Sequence, residues 1–70
     1  MAVDPASPEM AALRKWLHDV NNRLGVILTT AELLQFEELS PQAATRRQTI
    51  EDSALEIRSI LREISDHYFT

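Results

Sequence analysis

The chain has no cysteine, only one glycine and only three prolines among its 70 residues. Without cysteine there is no disulfide framework and no thiolate metal site. No basic block occurs, and the formal net charge of −4 is spread over interspersed charges of both signs, which excludes an electrostatic footprint for nucleic acid. No apolar run approaches the length of a membrane span, and the N-terminus lacks the apolar stretch of a secretory leader. No P-loop or other nucleotide cradle is present. Together these absences predict a soluble cytoplasmic protein with no nucleic-acid or membrane partner. The lack of cysteine agrees with that compartment.

What is present is helical. Apolar residues make up 44% of the chain, the share of a folded protein. A chain this short buries a thin core and is marginal alone, so a homodimer is expected. Residues 1–7 read as a flexible N-terminal tail. Ser7-Pro8-Glu9 is a helix start, with serine as N-cap, proline at the first position and an acid at the positive end of the dipole. Ser40-Pro41-Gln42 repeats it, and proline disfavours helical geometry in the residue before it. The expected domain is therefore residues 8–70, with a helix over 8–38, a turn at 39–40 and a helix over 41–68.

Each helix carries one apolar stripe at spacings of four and three. In the first it is Leu13, Leu17, Val20, Leu24, Ile27, Ala31 and Leu34. In the second it is Ile50, Ala54, Ile57, Leu61, Ile64 and Tyr68. A short connection joins antiparallel neighbours, so the fold class is all-α. The architecture is an antiparallel helical hairpin that dimerises into a four-helix bundle, because one hairpin cannot cover both stripes. Arg47-Glu51, Arg62-Asp66 and Lys15-Asp19 are spaced four apart and add tenths of a kcal/mol each.

The stretch to explain is Leu17-His18-Asp19-Val20-Asn21-Asn22-Arg23-Leu24. With Leu17 at heptad position a, His18 takes b and Asn22 takes f, so both should face solvent one turn apart. Counting back from the turn places Arg58 and Arg62 near the height of His18. Two asparagines and the lone glycine make this segment poor helix, and such local conflicts often mark function. Gly25 lies on the His18 face, where a missing side chain would admit a partner. His67 beside Asp66 also mimics a reactive pair, but a histidine at a helix C-terminus is favoured by the dipole alone. Trp16 reads as a packing anchor at the bundle end, and Leu28 as core.

The run His18-Asp19-Val20-Asn21-Asn22-Arg23-Leu24-Gly25-Val26-Ile27-Leu28, followed by Ala31-Glu32-Leu33-Leu34, resembles the H-box helix of two-component sensor histidine kinases. It is most similar to the branch that reads His-Asp-Phe-Asn-Asn-Leu-Leu. The close likeness covers about seventeen residues, and the hairpin layout extends it to nearly the whole chain. The resemblance implies a dimerisation and histidine phosphotransfer domain, itself a hairpin that dimerises into a four-helix bundle. It implies that His18 accepts a phosphoryl group. Asp19 would act as base or hold the imidazole tautomer. Asn22 would orient a water for dephosphorylating a receiver. These roles make physical sense, since a neutral, exposed imidazole nitrogen is needed to attack phosphorus.

Two features depart from the pattern. Val20 and Arg23 replace the usual aromatic and aliphatic residues, and Gly25 replaces a residue that is often threonine. The family's ATP-binding domain is absent from this sequence, so the chain would not phosphorylate itself from ATP.

The implied partners are a second copy of the chain, a response-regulator receiver domain and a histidine kinase ATP-binding domain acting in trans. No cofactor is expected in this chain, and Mg2+ is expected on the receiver. Arg23, Gly25, Val26, Leu33 and Phe36 are the expected partner-binding residues. For Val26, Leu33 and Phe36 the plainer reading is a broader buried face. The expected function is phosphoryl exchange between His18 and a receiver aspartate, by a phosphotransferase or phosphatase module. The alternatives are a dimerisation fragment of a larger kinase and a non-catalytic dimeric mimic that binds a receiver or kinase. The Met1 start and the end at Thr70 favour a stand-alone protein.

Overall fold

The computed structural model describes residues 7–69. Helix α1 runs Pro8–Leu33, a 3-10 turn spans Leu34–Phe36, and helix α2 runs Pro41–Phe69. No strand occurs among the described residues, so the fold is all-α, as the periodicity predicts. Of the expected tail only Ser7 is described; the rest of it lies outside the described residues.

Both helix starts are built by serine. The Ser7 backbone is extended, and its Oγ accepts the Met10 N–H at 3.1 Å. Ser40 Oγ accepts the Ala43 N–H at 3.0 Å. Each serine satisfies one of the N–H groups a helix start leaves without a partner. Prolines follow at both starts, where a missing N–H costs nothing.

The end of α1 differs from the expected 8–38 span. Regular α geometry stops at Leu33. The next residues tighten to 3-10, the Glu37 N–H closes onto the Leu34 carbonyl at 3.0 Å, and Glu37 turns extended. The last turn of α1 carries no basic residue. Continuing the helix would set Glu37 and Glu38 at its negative end, where carboxylates are disfavoured. The connection therefore occupies 37–40 rather than 39–40.

The two helices pack along a narrow seam. Leu24, Leu28 and Ala54 form the buried cluster, with Leu61 packed against it. Leu28 is core, as expected. The stripe on α1 splits between two surroundings. Leu24 and Ala31 are buried and Leu17 is half-buried, while Val20, Ile27 and Leu34 stay exposed. On α2, Ala54 is buried and Leu61 half-buried, while Ile50 and Ile57 are exposed. A two-helix contact covers one side of each stripe and leaves the other side open.

The result is a rod of 51 × 16 × 14 Å. Its radius of gyration, 16.1 Å, exceeds the roughly 11 Å of a compact chain of this length. Among the described residues five, Met10, Leu24, Leu28, Ala31 and Ala54, are buried apolar ones, and two of the five are alanines. No helix of the described residues is long and apolar enough to cross a membrane.

Candidate functional site

His18 sits near the middle of α1 with its side chain exposed. Asn22, one turn on, places its amide Nδ2 3.2 Å from His18 Nε2. With the Asn22 amide nitrogen as donor, Nε2 is the acceptor and the matching ring tautomer carries its proton on Nδ1. In that arrangement the Nε2 lone pair is taken up by the Asn22 amide. The expected alliance of His18 and Asn22 on one face is thus present as a direct contact.

Asp19 points elsewhere. Its carboxylate lies 3.6 Å from Lys15 Nζ, and both side chains are well exposed. The structure brings Asp19 beside Asn22 rather than onto the His18 ring. An exposed pair of this kind contributes little stability. It leaves a carboxylate within one residue of the imidazole that a side-chain rotation can redirect.

Two grooves flank this pair. One, about 550 Å3, is lined by Asp19, Asn22, Arg23 and Val26. It gathers three acid, amide and base groups around an apolar wall. The other, about 470 Å3, runs along the seam, with Arg14 and His18 on the α1 side and Arg58 and Arg62 on the α2 side. The two arginines of α2 reach the level of His18, as the residue count predicts.

The expected partner-binding residues divide. Arg23 and Val26 border the first groove. Gly25 is half-buried, and a Cβ built there meets no atom within 4 Å. Nothing in the hairpin requires a glycine at that position. Leu33 and Phe36 lie at the turn end, beyond the grooves. Val26, Leu33 and Phe36 are 61%, 59% and 79% exposed, so the hairpin does not draw them into a wider buried face. Trp16 is 61% exposed and does not serve as a packing anchor within the hairpin, because α2 packs along the Leu17–Leu24–Leu28 side.

Arg14 belongs to the site although the motif does not single it out. The signal for it is spacing, since Arg14 and His18 are four apart on one helix and so share a face. Its guanidinium rests over the Phe69 ring, 4.6 Å from the centroid. That contact brings the C-terminal aromatic to the same groove and needs the hairpin register to be seen.

Among the described residues no group of three or more histidine, cysteine or acidic side chains is placed to hold a metal ion. His67 packs edge-on against Tyr68, with ring centroids 4.7 Å apart, in the last turn of α2. Chemically, the arrangement offers an exposed imidazole held by an amide, a nearby carboxylate and guanidinium groups on the facing helix. Comparison with family models, with curated proteins and with solved structures finds no match to this chain.

Proposed function

We propose that this protein is a histidine phosphotransfer module of two-component signalling, exchanging a phosphoryl group between His18 and an aspartate of a response-regulator receiver domain. The observation that carries the reading is the His18–Asn22 contact. It sets an exposed imidazole against an amide one turn on, within a run that resembles the H-box helix. Transfer forms a bond from phosphorus to Nε2 as the aspartyl P–O bond breaks, and the aspartate leaves as a carboxylate. Attack requires the Asn22 amide to swing off Nε2. Displaced, that amide stands one turn away, where it can instead orient a water for receiver dephosphorylation.

Phosphoryl transfer relies on positioning and on charge neutralisation. The receiver would bring Mg2+, and this chain supplies the imidazole and the groove formed by Asp19, Asn22, Arg23 and Val26 for docking. Leu33 and Phe36 would extend the docking face towards the turn. The exposed halves of the two stripes, Val20, Ile27, Ile50 and Ile57, support a homodimeric four-helix bundle that covers them with a second copy. The reading places the protein in the cytoplasm. A histidine kinase ATP-binding domain acting in trans would be the entry point for phosphate from ATP.

The test is phosphoryl exchange with radiolabelled phospho-receivers, for wild type, His18→Ala and Asn22→Ala. Acid-labile label should appear on the wild type and vanish in His18→Ala. Faster loss of receiver label with none on this chain, abolished by Asn22→Ala, would instead make it a phosphatase module. Receiver binding with no movement of label would sink the catalytic reading and leave a dimeric mimic.

A further inference from the structure

Three of the seven basic residues of the chain, Arg14, Arg58 and Arg62, line the seam groove beside His18. They come from both helices. No carboxylate is among the described residues that line it, although the chain has eleven acidic residues and a net charge of −4. Asn21 and Ser65 add neutral hydrogen-bonding groups to the same walls. A positive pocket in an acidic chain is a segregation of charge that composition alone would not produce.

Arg58 is the member to explain. It is only half-exposed, and its Nε is buried with no hydrogen-bond partner. A buried donor on a cation is costly when it lacks an acceptor. The residue one turn on is Arg62, and like charges at that spacing repel. Arg14 meets an aromatic face rather than an anion. The missing component is a multiply charged acceptor that several guanidinium forks can share, and tetrahedral oxyanions match that fork geometry.

The geometry points to an oxyanion site: the groove between Arg14, Arg58 and Arg62 binds a phosphate-class anion, with Arg58 as its anchor. The anion accepts from Arg58 and Arg62 on the α2 wall, and Arg14 closes it from α1. Asn21 and Ser65 donate to oxygens the guanidiniums leave over. The site goes beyond phosphoryl exchange by His18 and does not depend on it. The recognised chemistry is shared by free phosphate and by a phosphoryl group carried on another molecule.

The test is a titration of the isotopically labelled full chain, following the arginine Nε–H signals by NMR at constant ionic strength. The probes are inorganic phosphate, phosphoserine and, as the control, chloride. The Arg58 signal should move saturably with a phosphate probe and not with chloride. A preference for inorganic phosphate assigns a free ion, and a preference for phosphoserine assigns a carried phosphoryl group. Arg58→Lys keeps the charge but loses the fork, and should weaken binding by at least about tenfold. Arg46→Gln, near the turn, should leave it intact. If Arg58→Lys fails to fold, Arg62→Gln, read through the Arg58 signal, serves in its place with the same expected loss. A non-saturating response, or one matched by chloride, overturns the site. No receiver is present, so failure of phosphoryl exchange and failure of anion binding are read separately.

Discussion

Arg47 and Arg58 are eleven residues apart on α2, three turns, and so point the same way. Their surroundings are opposite. Arg47 Nη1 donates to Glu51 at 2.6 Å, with both side chains largely covered. Arg58 has a buried Nε with no partner, and Arg62 stands where a glutamate would close it. The turn half of the hairpin also holds the buried cluster of Leu24, Leu28 and Ala54, while the open half has half-buried Leu17 and Leu61 around a groove and the buried Met10 near the helix start. The turn half pairs its half-buried arginine and holds the cluster of buried residues. The other leaves charge open beside the histidine. The buried cluster and the candidate site lie in different halves of the rod.

That division can be broken in three places. The largest effect is expected from Leu28→Ala. It empties a buried site in the turn half and should cost about 2–5 kcal/mol of stability in urea unfolding. Leu17→Ala in the open half should cost less than half as much, and equal losses would mean the core is not concentrated at the turn. Next, Glu51→Gln removes the carboxylate that closes Arg47. Stability should fall by about 1 kcal/mol, with the helices intact by circular dichroism. No change would mean the pair is as solvent-screened as Lys15–Asp19.

The smallest effect is the most diagnostic. Arg62→Glu recreates the Arg47–Glu51 spacing one groove further along. Stability should stay within a few tenths of a kcal/mol, because the attraction gained to Arg58 is offset by repulsion from Asp66, also four residues away. A fall in stability would show that Arg58 already has its charge compensated.

Much of this was legible from residues alone, for local reasons. Ser7-Pro8 and Ser40-Pro41 announce both helix starts because capping is a property of four consecutive residues. The His18–Asn22 contact and the Lys15–Asp19 and Arg47–Glu51 pairs follow from a spacing of four. The end of α1 was not legible in the same way. No proline or glycine stops the helix at Leu33, and the cause is the weak preference of Glu37 and Glu38 against a negative helix end. That one hairpin leaves part of each stripe uncovered follows from the spacing, but which part does not: Leu24 and Ala31 are covered, and Val20 and Ile27 stay open. Heptad position says that a residue is apolar-facing; it does not say which neighbour arrives first. The groove needed the register, because Phe69 and Arg14 are at opposite ends of the chain. That Trp16 stands exposed is likewise a statement about where α2 lies, which spacing within α1 does not contain.

A hairpin with one connection closes like a zipper. Pairing that begins beside the turn brings the next rung together at little added loop entropy, and each later rung follows from the last. The same order runs backwards when the ends fray, so the rungs furthest from the turn open first. His18 and the arginines lie in that outer half. By that order the His18–Asn22 contact and the seam groove would part before Leu24, Leu28 and Ala54 do.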